Sequence, residues 1–283
     1  MKKRFQLGRS IVVVFAFFAC SARAAIAQND VPPDGQAETD APPVWLFQSF
    51  FADAMADGAY WGGGLSVRDF DDGSAMQLDA VGSYAITSQI EVQGQLGFAR
   101  IDPGEGSSAS GFTDLLLAGH YVFDNIGTVS AIAAGGYVEL PVGKRSVGGN
   151  TLDFGAYGAV RHIVNERATV TGNLGVDFVE TTDFQLSLIG FCDPFFFGVC
   201  AAPLYELERK ASLGIGGGVI YAIENGLNLI GELRLETVFD YAALSGGVDY
   251  AGELGHMRGF IAVGLDDGAP DLTLNIQLLR AWR

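Results

Sequence analysis

The stretch Ile90-Glu91-Val92-Gln93-Gly94-Gln95-Leu96-Gly97-Phe98 alternates without a break. One set is Ile, Val, Gly, Leu and Phe; the other is Glu, Gln, Gln and Gly, with Ala99 next. A period of two is an extended strand with two unlike faces. A soluble sandwich shows the same period, so alternation leaves open whether the apolar face meets a protein core or lipid. The pattern recurs along the last two-thirds of the chain, and the N-terminus decides between the two solvents.

Lys2, Lys3, Arg4 and Arg9 precede an apolar run, Ile11 to Ala19, and a small-x-small site, Ala25-Ile26-Ala27. This is the form of a secretory signal peptide over 1–27, cleaved before Gln28. Phe17 and Phe18 stand before Cys20 where a lipoprotein signal would need small or aliphatic residues. Residues 28–43, rich in Pro, Asp and Gln, read as a disordered acidic periplasmic linker. The barrel proper is placed at 44–283, and Val44 to Asp57 reads either as a short amphipathic helix or as the approach to the first strand.

The chain has 17 Lys and Arg against 33 Asp and Glu. Removing the signal leaves 12 basic residues and a net charge of −21, which excludes electrostatic binding of nucleic acid. The longest uncharged run beyond the signal, Asn125 to Val138, is too short and too rich in Gly and Ala for a membrane helix. Yet 49% of residues are hydrophobic, and 39 of 283 are Gly, about twice the usual share of roughly 7%. An exported, acidic, Gly-rich chain of ten-residue alternating strands fits an all-β fold, the transmembrane antiparallel up-and-down β-barrel of a Gram-negative outer membrane.

Twelve strands are expected near 59–68, 75–86, 89–101, 112–123, 128–140, 151–164, 168–180, 208–223, 227–239, 248–254, 258–265 and 272–282. Tight turns fall at Thr87-Ser88, Asp124-Asn125-Ile126-Gly127, Asn165-Glu166-Arg167 and Glu224-Asn225-Gly226. Longer loops fall at 69–74, 102–111, 141–150, 181–207 and 240–247. Short turns belong in the periplasm and long loops outside. Treating 248–265 as one strand gives eleven, which strands the C-terminus outside. A split at Gly255-His256-Met257 restores an even number, with ten and fourteen as the other even counts.

The apolar rows are expected to face lipid, among them Leu117, Leu174, Ile215 and Leu233, with Phe98, Phe123, Tyr137, Phe178 and Tyr221 as an interfacial aromatic girdle. The opposite rows supply the lumen-lining candidates: Glu91, Gln93, Gln95, Asp114, His120, Asp153, Arg161, Asp177, Lys210, Glu232, Arg234 and Glu236. Asp249 and Glu253 add to the inward acids, so the lumen should disfavour anions. Arg at Leu117, Leu174, Ile215 or Leu233 should cost about 2–4 kcal/mol, and Arg at Gln93 or Thr171 little. The twelve-stranded interior can be open to small solutes or filled by its own salt bridges.

No GxSxG, HExxH or His/Cys cluster occurs, so neither catalytic residues, a metal site nor a cofactor is expected. His120 should point inward, His162 outward, and His256 lie in a turn. Cys192 and Cys200 are expected to form a disulfide within the 181–207 loop. Phe195, Phe196 and Phe197 between them are candidates for the barrel mouth, packing on neighbours, contacting lipopolysaccharide or meeting an apolar solute.

Three short stretches carry a family likeness: Gly111-Phe112-Thr113-Asp114-Leu115, Leu140-Pro141-Val142-Gly143 and Gly264-Leu265-Asp266-Asp267-Gly268-Ala269-Pro270-Asp271. They resemble signatures of the outer-membrane transporter family of the phenol-degradation meta-pathway. Two departures are visible: Gly268 is inserted in the third signature, and Arg283 follows the terminal aromatic Trp282. The resemblance implies a barrel that takes up small aromatic or hydrophobic molecules, with outer-membrane lipid and lipopolysaccharide as surroundings. The alternative is a non-conducting surface barrel whose long loops bind a partner or lipopolysaccharide.

Overall fold

The computed structural model describes residues 44–54, 59–71, 73–104, 106–126, 129–144, 146–148, 151–183, 206–238 and 240–281. The signal, the linker, Cys192, Cys200 and Phe195 to Phe197 lie outside the described residues, so the expectations for them stand as expectations.

Among the described residues, thirteen strands follow a single one-turn 3-10 helix at Phe50–Ala52. They are β1 (Tyr60–Phe70), β2 (Gly73–Ala85), β3 (Ile90–Asp102), β4 (Ala109–Phe112), β5 (Leu115–Ile126), β6 (Val129–Leu140) and β7 (Asp153–Ile163). β8 (Ala168–Asp183), β9 (Glu206–Ala222), β10 (Leu227–Glu236), β11 (Tyr241–Gly252), β12 (Gly255–Gly264) and β13 (Leu272–Ala281) complete them. All pairings are antiparallel, and β1 bonds to both β2 and β13, which closes the sheet. β4 and β5 both pair with β3 and form one wall strand broken at Thr113-Asp114. The wall therefore has twelve strands, as parity requires.

The break at Thr113-Asp114 is a bulge. Phe112 pairs with Phe98 and Leu116 with Gln95, so three residues on one strand oppose two on the other. The extra residue turns Asp114 inward, where its Oδ1 accepts the Gly143 N–H at 2.8 Å. The first two family signatures thus dock on each other: Asp114 anchors the loop that Leu140-Pro141-Val142-Gly143 begins.

Three sequence expectations change. The 69–74 connection is a hairpin with Phe70 opposite Gly73, not a loop. β11 starts at Tyr241, so most of the expected 240–247 loop is strand. The β11–β12 turn sits at Glu253-Leu254, followed by Gly255 at φ +110°, a value that favours glycine. His256 is accordingly in β12, and Glu253 is exposed in the turn rather than lumenal.

Register fixes the two faces. Leu117, Leu174, Ile215 and Leu233 point outward and are 40%, 54%, 47% and 41% exposed. A continuous apolar exterior of this extent is what lipid covers. Among the described residues outward glycines pair directly in five places: Gly82 with Gly94, Gly119 with Gly136, Gly172 with Gly217, Gly231 with Gly246 and, at the β11–β12 turn, Gly252 with Gly255. Paired glycines thin the wall and ease its curvature, which accounts for part of the high Gly content. Tyr137 departs from the expected girdle. It pairs with Ala118 and Gly155 on the inner face, and a Cβ at Gly155 would lie 2.5 Å from its ring.

Candidate functional site

The inner face does not enclose an empty channel. Val44 to Ala54 runs inside the barrel. Trp45, Leu46 and Phe47 are 2%, 0% and 4% exposed. Each apolar side chain finds an apolar spot on an otherwise polar wall. Leu46 and Phe47 pack on Ile220 and Ile230. Trp45 and Phe50 pack on Tyr60 and Leu279, and Ala54 on Val122, Ala133 and Ala159. Phe47 stacks on Phe260 with ring centroids 4.6 Å apart. Burying such side chains is worth about 1.5–3 kcal/mol each, which drives the segment inward.

A segment with only one 3-10 turn and no ladder must find partners for most of its backbone. The wall supplies them with charged groups, the stronger kind of hydrogen bond. Glu232 Oε2 accepts the N–H groups of both Phe47 and Gln48 at 2.8 Å. Arg161 Nη2 donates to the Val44 carbonyl at 2.9 Å, and Arg234 Nη1 to the Gln48 carbonyl at 2.6 Å. Arg258 donates to the Trp45 carbonyl. Tyr157 Oη donates to the Phe51 carbonyl at 2.6 Å. The segment reciprocates through Asp53, whose Oδ2 lies 3.2 Å from Arg161 Nη1 and whose Oδ1 accepts Thr171 Oγ1–H at 3.1 Å.

Below this segment sits a fully buried ionic group. Asp249 Oδ2 lies 2.8 Å from His256 Nδ1, and Asp249 Oδ1 3.2 Å from Arg258 Nε, with all three side chains at 0% exposure. The Arg258 guanidinium also stands 4.7 Å from the Phe47 ring centroid. A charge this deep is retained because it is shared between an acid, an aromatic face and a carbonyl. On the opposite side the inward glycines of β9 make the groove: a Cβ at Gly216 would lie 2.6 Å from Ser49 Oγ, and one at Gly218 2.8 Å from Leu46 Cδ2.

All twelve lumen-lining candidates fall on the inner face by register. They do not share one fate. Arg161, Glu232 and Arg234 hold the inner segment, and Arg234 also pairs with Glu236 at 2.5 Å. Gln93 donates to Glu91 at 2.6 Å, and His120 Nδ1 lies 3.1 Å from Tyr157 Oη. Asp153 faces Glu139 across β6–β7, Asp177 faces Ser212, and Lys210 faces Val179. Gln95 borders a cavity. Glu91, Gln93 and Thr171 are 1%, 4% and 2% exposed. Gln93 bonds to Glu91 and Thr171 to Asp53 of the inner segment, so Arg at either position enters a filled site rather than water, against the expectation that it is cheap there.

Sequence reasoning missed Asp53, Tyr157, His256 and Arg258. The bonds of Asp53 to Arg161, of Tyr157 to Phe51 and of Arg258 to Trp45 each span more than a hundred residues, so no local spacing announces them. The available signal was the burst Val44-Trp45-Leu46-Phe47 with Phe50-Phe51, too short for a membrane helix and apolar enough to need an interior. It leads to β1, but through the lumen. Among the described residues no cluster of three His, Cys, Asp or Glu side chains could hold a metal ion.

A cavity of about 490 Å³ remains between this segment and the β1, β2 and β10 to β13 side of the wall. Phe47, Phe50 and Phe51 border it from the segment, and Phe260, Tyr241 and Arg68 from the wall. Tyr241 Oη donates to Gln48 Oε1 at 2.9 Å there.

A comparison with curated proteins finds no match. Among solved structures, an outer membrane channel from Pseudomonas putida F1 superposes with a TM-score of 0.61 at 15% identity, over 82% of this chain and 98% of that one. The KdgM porin, solved with disordered oligogalacturonate, gives 0.51 at 10% identity over 80% and 99%. The NanC porin gives 0.51 at 9% identity over 80% and 100%. At such identities the likeness is one of fold. Residues 55–188 match the family model described as "Putative MetA-pathway of phenol degradation", a span that holds the bulge at Thr113-Asp114 and the Gly143 anchor. Over those residues, a little under half of its length, the chain is similar to that family.

Proposed function

We propose that this protein is an outer-membrane channel for small aromatic or hydrophobic molecules, exported by a cleaved signal peptide and closed at rest by its own residues 44–54. The observation that carries the reading is the fit of an apolar, charge-held segment to the lumen of a barrel whose structural neighbours are channels and porins. Three wall residues that would line a water-filled pore, Arg161, Glu232 and Arg234, instead grip the segment. Each charge-assisted bond contributes about 1.5–3 kcal/mol, so several must yield together before the lumen opens. The reading is non-enzymatic: the inner acids and arginines hold backbone groups and each other.

Planar-bilayer recording tests this. A variant lacking residues 44–54 should conduct severalfold more than the wild type. Its current should favour cations, because Glu91, Asp114, Asp153, Asp177, Glu232, Glu236 and Asp249 outnumber Arg161, Lys210, Arg234 and Arg258 on the inner face. The occluded lumen also suits a second reading, a non-conducting surface barrel that meets lipopolysaccharide or a partner through its long loops. Equal, negligible conductance of both proteins would favour it.

A further inference from the structure

The cavity beside the inner segment is unevenly furnished. Its floor is aromatic, from Phe47, Phe50 and Phe51, with Phe260 stacked against Phe47 at the wall. Four charged side chains border it: Asp79, Glu236, Arg234 and Arg68. Three are engaged: Asp79 accepts from Gln77 at 2.6 Å, and Glu236 pairs with Arg234, which also holds the Gln48 carbonyl. Arg68, half-buried on the inner face of β1, makes no ion pair or side-chain hydrogen bond among the described residues. Two further groups at the cavity are buried without a partner, Gln48 Nε2, a donor, and Asn275 Oδ1, an acceptor.

We infer that this cavity is a binding site for a small aromatic monocarboxylate, with the carboxylate on Arg68 and the ring against Phe47 and Phe260. The inference rests on the channel reading and names the class of solute it would take. A guanidinium matches a carboxylate with two parallel N–H···O bonds, which an ammonium or a neutral hydroxyl does not use. An aromatic ring gains edge or offset contact with the Phe260 and Phe47 rings beyond its area, and a saturated ring loses that part. The space is ample for one or two rings, since small-molecule sites commonly span about 300–1,000 Å³. Of the neighbouring acids, Glu236 is offset by its ion pair with Arg234, while Asp79, held by the neutral Gln77 amide, keeps its charge and favours a site close to Arg68.

The test is calorimetric titration of the full-length barrel in detergent with sodium benzoate, phenol, sodium cyclohexanecarboxylate and benzylammonium. Benzoate should bind at least tenfold tighter than phenol or benzylammonium and severalfold tighter than cyclohexanecarboxylate. Arg68→Gln should weaken benzoate at least tenfold, and Arg68→Lys only partly. Phe260→Leu should erase the preference for benzoate over cyclohexanecarboxylate. Heat-modifiable migration on gels certifies that each variant is folded, and if Arg68→Gln fails that check, Arg68→Lys and Phe260→Leu decide. Absence of benzoate binding to the wild type, tighter binding of phenol or benzylammonium, or an unchanged benzoate affinity in folded Arg68→Gln overturns the assignment. The channel reading fails separately, if removing residues 44–54 leaves conductance unchanged while benzoate still binds. A rise in conductance without benzoate binding sinks the ligand class alone.

Discussion

Thr171 and Leu174 stand three residues apart on β8 and live in different chemistries. Leu174 points outward, is 54% exposed, and shares its row with other branched or aromatic side chains. Thr171 points inward, is 2% exposed, and donates to Asp53 at 3.1 Å. The outer face needs only apolar area, and many residues supply it. The inner face needs particular donors and acceptors at particular heights, because it meets one segment rather than a solvent. Substitutions should therefore be tolerated outside according to hydrophobicity, and inside according to partner.

The largest penalty is expected where the inner face is most committed. Asp249→Ala leaves Arg258 and His256 at 0% exposure without their shared acid, and breaking a buried pair costs about 3–5 kcal/mol. Urea unfolding from lipid vesicles reads the loss directly. The same variant loosens the Arg258 grip on Trp45, so its bilayer current should show openings that the wild type lacks. A stability within 1 kcal/mol of wild type, as about 0–1 is typical of exposed pairs, would mean that this group is solvated.

The outer face comes second. Arg at Leu117, Leu174, Ile215 or Leu233 should each cost about 2–4 kcal/mol, because the guanidinium must enter hydrocarbon. Ile or Met at the same positions should change stability by less than about 1.5 kcal/mol. Folding titrations into vesicles separate these outcomes. Equal tolerance of Arg and Ile on this row would contradict a lipid-facing surface.

The contrast also explains what could be read from the sequence. Alternation fixes which side chains share a face, so Leu213, Ile215, Val219 and Tyr221 and their polar counterparts separate correctly. Parity supplied the twelfth strand even though its position was misjudged. Tyr241-Ala242-Ala243-Leu244-Ser245-Gly246-Gly247 looks like a loop because Gly, Ala and Ser carry little strand preference; closure with β10 and β12 overrides that. What alternation cannot report is the occupant of the interior. The inward glycines of β9 do not announce a tenant, yet Ser49 stands over Gly216 and Leu46 over Gly218. Arg258 and Asp53 were illegible for the same reason, since each is defined by a partner elsewhere in the chain. Asp114 was found on the inner face, but its role depends on a bulge that alternation does not encode.

The smallest effect is the most diagnostic of the comparison. In the full-length barrel Thr171→Arg inserts a long cation into a site already holding Arg161 and Asp53. Overpacking costs about 1–3 kcal/mol, and Asp53, accepting from Arg161 and Leu46 already, offsets little of it. In a variant lacking residues 44–54 the same position borders water, and the penalty should fall below about 1 kcal/mol. Two unfolding titrations in each background give the difference, expected at about 1–2 kcal/mol. The outer control, Leu174→Arg, should cost the same in both backgrounds, because lipid covers it whether or not the lumen is filled. A Thr171→Arg penalty that survives the deletion would place its origin in the wall itself, and the inner segment would then be a passenger rather than the solvent of the inner face.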